Sequence, residues 1–320
     1  MADLFQIHEP RGVQPPQAPA PQAPATAPGV APKDRVRHRE PGPRPDWLTV
    51  RYQRNDTFKE LERLKAGLKL HTVCEEARCP NIDECWSHGT ATFMLMGERC
   101  TRRCGFCAVG NDPGPLDPDE PAHTAEAIRR MGVRHAVITS VNRDDLPDGG
   151  SAHFADTVRA IRAAAPDCRV ELLIPDFMGA RADVERVLEA GAHIVAHNTE
   201  TVPRLYKRVR PQALYQRSLD VLRWIHEWPD VISKTGLMLG LGEHDDEVEA
   251  VMWDLREVGC EILSLGQYLS PTPKHLAVDR WVHPDTFARF AEVGRAMGFR
   301  HVEAGPMVRS SYMAHRAFEL

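Results

Sequence analysis

Short apolar runs and amphipathic segments alternate along the chain beyond residue 90. Between the runs, apolar residues recur every three or four positions, which is typical of helices that bury one face. These stripes comprise Phe154, Val158 and Ile161; Val184, Val187 and Leu188; Leu214, Val221, Leu222 and Ile225; and Val248, Val251, Leu255 and Val258. The runs predict six strands, at Thr92–Met96, Ala136–Thr139, Val170–Ile174, His193–Ala196, Val231–Leu239 and Glu261–Leu265. This alternation predicts βαβ units and a parallel sheet.

Six strand–helix units are too few for a closed eight-stranded barrel. They favour an α/β fold with a partial (β/α)6 TIM-like barrel, although periodicity alone leaves a doubly wound sheet open. In either fold, polar residues that follow the strand ends should line the site. Those residues are Ser140 to Asp145, Asp176, His197, Asn198, Gly240 to Glu243, Gln267 and Tyr268.

The segment before the strands divides into two parts. Residues 1–46 are rich in Pro and Ala, and we expect a disordered tail that acts as a spacer, with a ligand for a proline-binding domain as the alternative. Apolar residues at helical spacing predict a helix over 57–68. We therefore expect an amino-terminal extension at 47–90, a barrel at 91–305 and a carboxy-terminal segment at 306–320.

Composition and charge narrow the class of protein. The 320 residues include 45 acidic and 40 basic side chains, giving a formal net charge of −5. No apolar run reaches the roughly 20 residues of a membrane helix, and the slight acidity argues against binding nucleic acid by bulk electrostatics. The first residues lack the pattern of a secretory signal or a transit peptide, so we expect a cytoplasmic protein with neither membrane nor nucleic acid as a partner.

Six of the eight cysteines lie between Cys74 and Cys107. An even number of cysteines is compatible with a disulfide framework, but such frameworks belong to short secreted chains. In a chain of this length the cluster favours metal binding. Cys168 and Cys260 stand alone in or beside predicted strands, where we expect ordinary buried thiols.

The downstream triplet, Cys100, Cys104 and Cys107, has the spacing CxxxCxxC. Zinc sites usually have four ligands, whereas three thiolates in one short loop suit an iron–sulfur cube with one iron left open. An open iron can be chelated by a small molecule, which indicates a catalytic role.

The upstream triplet, Cys74, Cys79 and Cys85, has the spacing CxxxxCxxxxxC. Fourteen residues separate it from the downstream triplet, so the two sets could hold separate clusters on neighbouring surfaces. A structural role, or zinc bound together with histidine, remains the alternative.

The downstream triplet, with Phe106 before its last cysteine, resembles the signature of the radical S-adenosylmethionine superfamily. Together with the upstream triplet it resembles the lipoyl synthase family, and the resemblance covers about residues 47–315. The matching motifs are VITSVNRDDLPDGG (137–150), LLIPDF (172–177), HNTETVPRLYKRVRP (197–211), KTGLMLGLGE (234–243), LGQYLSPTPKHLAV (265–278) and VEAGPMVRSSY (302–312).

The resemblance implies an enzyme that inserts two sulfur atoms at C6 and C8 of an octanoyl chain carried on a lysine. It implies two [4Fe-4S] clusters and S-adenosylmethionine as cofactors, and no catalytic residues beyond the cluster ligands. The downstream cluster would generate the 5′-deoxyadenosyl radical, and the upstream cluster would supply the sulfur. The family's fourth ligand to the upstream cluster matches Ser311; spacing alone does not choose between Ser310 and Ser311.

Other expectations concern the cosubstrate and the partners. Polar residues at strand ends are candidates to hold the methionine or ribose of S-adenosylmethionine, beside the aromatic of the downstream motif; these candidates are Phe106, Ser140, Asn142, Asp144, His197 and Asn198. The implied partners are octanoylated lipoyl domains of 2-oxoacid dehydrogenase E2 subunits, the glycine cleavage H protein, an electron donor and a cluster-repair protein.

Two alternatives and one surface hypothesis remain. A biotin-synthase-like sulfur inserter would share only the downstream triplet and the barrel, and a metal-stabilised binding module would need no such barrel. The run Arg204, Lys207, Arg208 and Arg210 is either a solvated face or a surface that steers an acidic lipoyl domain.

Overall fold

The computed structural model describes residues 42–49, 54–68, 70–87 and 92–311. The predicted tail up to residue 41, and residues 312–320 of the predicted carboxy-terminal segment, lie outside these ranges. All of the described residues belong to one compact unit. No helix in the described ranges is long and apolar enough to cross a membrane.

The strands of the described residues are β1 His71–Thr72, β2 Thr92–Leu95, β3 Arg99–Cys100, β4 Gly110–Asn111, β5 His135–Ser140, β6 Arg169–Leu173, β7 Ile194–Ala196, β8 Ile232–Leu239, β9 Ile262–Gln267 and β10 His301–Gly305. Eight of them form the main sheet, in the order β1-β2-β5-β6-β7-β8-β9-β10, and β3 and β4 pair separately.

The helices cover the outer face of this sheet. Their bounds are α1 Asp56–Gly67, α2 Val73–Glu76, α3 Ile82–Ser87, α4 Glu120–Met131, α5 Ser151–Ala164, α6 Arg181–Glu189, α7 Tyr206–Val209, α8 Tyr215–His226, α9 Asp245–Glu257 and α10 Pro284–Ala296. The predicted helix at 57–68 is confirmed as α1; it begins after Asn55, whose side chain accepts a hydrogen bond from the Phe58 amide.

All six predicted strands are present, and they pair in parallel from β2 through β5 to β9. Four strands were not predicted: β10 adds in parallel beside β9, β1 pairs antiparallel with β2, and the short strands β3 and β4 pair with each other. Among the described residues, the edge strands β1 and β10 do not pair with each other, so the barrel is open, as expected of a partial TIM-like barrel. The polar loops after the parallel strands therefore meet at one end of the sheet.

The predicted helical stripes form the core between helices and sheet. Phe154, Val158 and Ile161 on α5 are fully buried, and so are the stripe residues on α6 and α9. The last residue of the α9 stripe, Val258, is also buried but lies just beyond the end of the helix. Leu214 departs from its stripe because it precedes α8 and is exposed.

Candidate functional site

A cavity of about 670 Å³ opens among the loops that follow the strands. Both triplets reach it: Cys74, Cys79, Cys100, Cys104 and Cys107 all line its wall. The chain thus brings two cysteine sets, separate in sequence, to one enclosed space.

The sixth cysteine, Cys85, lines a smaller adjoining cavity of about 20 Å³. Cys74, Cys79 and Ser311 line this cavity too. The whole upstream triplet therefore surrounds one small space, and the serine that the family resemblance selects lies in it. Ser310 lines only the larger cavity.

The loop of the downstream triplet is held at both ends. The short strands β3 and β4 pair on either side of it, and the Gly105 amide donates to Val209 O at 2.8 Å. The amides of Arg102 and Asn142 both point at the Cys100 sulfur, at 3.4 and 3.2 Å. These two hydrogen bonds fix the position of the Cys100 sulfur within the loop.

Of the upstream triplet, Cys74 lies on α2, Cys85 lies on α3 and Cys79 lies in the turn between them, and the carboxy-terminal segment packs over all three. The Asn81 side-chain amide donates to Met307 O at 2.7 Å, and Val308 O lies 2.1 Å from where a Cβ on Gly266 would stand. Only glycine at position 266 lets this segment pack so closely on β9. The segment is thereby fixed over the upstream triplet.

Burial suppresses ionisation of thiols in both triplets. Burial raises the pKa of Cys85 and Cys104 to about 12 and that of Cys107 to about 11. Metal binding must therefore release their protons, which couples cluster assembly to proton loss.

Each triplet supplies thiols to one cavity wall, and three thiolates leave one iron of a four-iron cluster free for another ligand. This donor set fits an iron–sulfur cluster. Within the described ranges, one group of three His, Cys, Asp or Glu ligand atoms falls within 4.8 Å of one another: His71, Glu76 and Glu98. These three residues line neither cavity.

Several buried polar atoms face the larger cavity without a partner in the described part of the chain. They are Ser140 Oγ, Asn142 Oδ1, Asn198 Oδ1 and Arg210 Nε. Each unsatisfied buried group costs about 1–3 kcal/mol, so their convergence indicates a polar ligand. Three of the four were among the predicted contacts to S-adenosylmethionine.

Glu200 was missed by the sequence analysis. It lies in the cavity wall, and burial raises its pKa, opposed by the nearby Arg210 guanidinium. Its backbone adopts a φ of 66°, a strained conformation for a non-glycine residue, and Asn198 Nδ2 donates to its carboxylate at 3.1 Å. The sequence signal that could have identified Glu200 was its place in the HNTET segment, two residues after Asn198 at a predicted strand end.

The structure places two other candidates differently. His197 lines the cavity, but both ring nitrogens are engaged, with Ile174 O and Ser218 Oγ each at 3.0 Å. Asp144 is not in the cavity wall; its carboxylate pairs with Arg102 at 2.7 Å. The hydrogen bonds of His197 and the ion pair of Asp144 therefore stabilise the structure around the cavity.

Phe106 does line the cavity, partly buried beside the downstream triplet. The turn at Gly240 to Glu243 does not. There the Glu243 carboxylate accepts from the amides of Gly240 and Leu241 at 2.7 and 2.9 Å. Those amides are therefore occupied within the turn.

The four cations of the basic run beyond β7 lie in different environments. Arg204 pairs with Glu247 at 2.7 Å. Arg210 is buried and donates to Asn198 O. Lys207 and Arg208 are exposed but do not line the cavity.

Cys168 and Cys260 are buried in the core, as predicted. Burial raises the pKa of Cys260 to about 12, so this thiol is inert at neutral pH.

The family model and the similar known proteins point to the same family. The Radical SAM superfamily model matches residues 94–255. The chain is 54% identical to a lipoyl synthase of Rubrobacter xylanophilus over 90% of this chain and 89% of that protein. It is 50% identical to a lipoyl synthase of Chlorobaculum tepidum over 87% of this chain and 97% of that protein.

Solved structures that are similar share the fold at low identity. The [FeFe]-hydrogenase maturase HydG matches with a TM-score of 0.53 and 15% identity, over 80% of this chain and 57% of that one. Methylornithine synthase matches with a TM-score of 0.51 and 14% identity, over 77% and 74%. These likenesses show the partial-barrel architecture alone.

Proposed function

The chain belongs to the lipoyl synthase family of the radical S-adenosylmethionine superfamily, and on that premise we propose how its two triplets divide the work. The activity of the family is that of a sulfurtransferase that inserts sulfur at C6 and C8 of a protein-bound octanoyl chain. The observation that carries the proposal is that five of the six cysteines of the two triplets line one cavity, and the sixth, Cys85, lines the small cavity beside it.

The downstream triplet would hold a [4Fe-4S] cluster with one open iron, and the upstream triplet with Ser311 would hold a second. Support comes from Ser311 sharing the small cavity with all three upstream cysteines. An oxygen ligand is harder than thiolate, so this corner would be more labile. When bound, such clusters supply what side chains cannot: reductive cleavage of S-adenosylmethionine to the 5′-deoxyadenosyl radical, and sulfur for the product.

The polar wall would hold S-adenosylmethionine. Asn198 and Glu200 present carboxylate and amide oxygens, which suit the hydroxyl pair of a ribose. Ser140 ends β5 and Asn142 follows it, with the Asn142 amide against Cys100 of the downstream triplet, and both would bind the methionine end. Their unsatisfied atoms would then gain hydrogen bonds on binding.

Apolar side chains between the triplets would hold the octanoyl chain. Val73, Met94, Val109, Val141 and Leu237 line the same cavity. This apolar wall would exclude water from the radical and fix the C–H bond against it.

The partners would be octanoylated lipoyl domains of E2 subunits and of the H protein, with an electron donor and a cluster-repair protein. The protein would act in the cytoplasm. Incubation of the anaerobically reconstituted protein with S-adenosylmethionine, a reductant and an octanoylated lipoyl domain tests the function. Mass analysis should show a lipoyl domain that has gained two sulfur atoms; an unchanged domain would refute the function.

A further inference from the structure

Exposed basic side chains surround the mouth of the larger cavity. We name Arg44, Arg78, Arg103 and Lys274 the cationic rim; all four line the cavity and are exposed. In the ranges that the structure describes, none of the four forms an ion pair. Arg44 donates to the carbonyl of Leu48, which leaves its charge uncompensated.

Among the residues that the structure describes, the cavity offers the rim no acidic partner. The acidic residues that line it in this part of the chain, Asp176 and Glu200, are buried within the wall, and Asp176 already pairs with Arg102 at 2.6 Å. The chain as a whole carries a net charge of −5. A local excess of cations on an acidic protein, placed at the entrance of its site, indicates an anionic partner.

The four side chains come from separate parts of the chain. Arg44 precedes the barrel, Arg78 follows α2, Arg103 lies in the downstream cysteine loop and Lys274 follows β9. They thus form an exposed border of the opening rather than a pocket for one small anion. A surface of this kind suits a macromolecule.

We propose that the cationic rim docks an acidic protein surface surrounding the acylated lysine of the carrier domain, an inference that rests on the proposed function. Acylation converts the lysine to a neutral amide, so that lysine contributes no repulsion at the mouth. Acidic residues beside it would meet the rim as the acyl chain enters the apolar cavity. Complementary charge of this kind raises the association rate and fixes the register of docking.

The exposed part of the basic run at 204–210 is not part of this surface, because Lys207 and Arg208 do not line the cavity. The proposed docking surface is therefore the cationic rim and not the basic run at 204–210.

Charge reversal at Lys274 and Arg44 tests the proposal. Arg78 and Arg103 are avoided because they adjoin Cys79 and Cys104. Arg63→Glu is the matched control: Arg63 is exposed on α1, forms no ion pair in the described ranges and does not line the cavity. Each variant changes the net charge equally, and iron content and circular dichroism identify any variant that fails to fold or load.

KM and kcat are measured for an octanoylated lipoyl domain and for a short octanoyl-lysine peptide with neutral flanks. Lys274→Glu and Arg44→Glu should each raise KM for the domain about fivefold, with kcat little changed. Neither should change KM for the peptide, and Arg63→Glu should change neither substrate. KM of the wild type for the domain should rise with salt, and this rise should flatten in the double variant.

Two results would overturn the proposal: equal losses on both substrates, which would place these residues in the acyl site, or no loss on the domain. Failure of the proposed function has a different signature, since the wild type would then add sulfur to neither substrate. Lys274→Gln, which removes the charge without reversing it, should give a smaller rise in KM than Lys274→Glu.

Discussion

Thr92 donates a hydrogen bond from its hydroxyl to Ser311 Oγ at 2.9 Å, across 219 positions of sequence. Thr92 is the first residue of β2. Burial raises the pKa of the nearby Cys74 thiol, and a hydrogen bond from the Thr92 backbone opposes that rise. One residue thus contacts both an upstream cysteine and the serine proposed to complete its cluster.

Substitution of Ser311 tests that assignment. Ser311→Ala should leave formation of 5′-deoxyadenosine measurable but lower sulfur insertion about tenfold or more, because a ligand and its supporting hydrogen bond are both lost. Ser310→Ala is the control, since Ser310 lines only the larger cavity. Normal sulfur insertion in Ser311→Ala with loss in Ser310→Ala would move the ligand by one residue.

The two triplets should have separable roles. Cys104→Ala should abolish cleavage of S-adenosylmethionine, because the downstream cluster could no longer form. Cys79→Ala should retain part of that cleavage while losing sulfur transfer. Chromatographic assay of 5′-deoxyadenosine beside mass analysis of the carrier measures both, and equal loss of both activities in both variants would contradict the division.

A buried ion-pair network supports the floor of the site. Arg102 is 3% exposed and bonds Asp144 at 2.7 Å and the fully buried Asp176 at 2.6 Å. Arg102→Met should lower the free energy of unfolding by about 3 kcal/mol, because the charge of Asp176 loses its closest partner. Asp144→Asn should cost about 1 kcal/mol or less, since Asp144 is partly solvated. Urea denaturation measures both, and equal costs would refute the account.

His197 should make stability depend on pH. Burial, reinforced by the Arg210 charge, lowers its pKa to about 4, below the 6.5 of a free imidazole. Between these values the unfolded chain binds more protons than the folded one, so stability falls as the pH drops from 6.5 towards 4. This loss should reach about 3 kcal/mol. His197→Gln should flatten the dependence; an unchanged slope in urea titrations would show that His197 is not responsible.

Regular hydrophobic periodicity made much of the fold predictable. The strands β5 and β6 and the stripes of α5 and α9 carry large aliphatic residues at fixed intervals. Helix α4 was not predicted because its buried face is built largely from small or polar residues such as Thr124, Ala125 and Ala127. Strand β10 was not predicted because only Val302 of its five residues is buried.

The candidate site, like the fold, was predictable only in part. Cysteine spacing indicated the two triplets, because ligand chemistry demands those residues at those intervals. Spacing could not show that Asp144 pairs with Arg102, or that Glu200 turns into the cavity, because both depend on contacts between distant loops. Such contacts have no local periodicity.

If the upstream triplet holds the source of sulfur beside the radical site, sulfur from its cluster must appear in the product, and isotope tracing follows that sulfur. The protein is reconstituted with sulfide enriched in a heavy sulfur isotope, freed of unbound sulfide, and allowed one turnover on an octanoylated lipoyl domain. Wild type should give a product with two heavy sulfur atoms, and Cys79→Ala should give none. Sulfur of natural abundance in the wild-type product, or heavy sulfur inserted by Cys79→Ala, would contradict it.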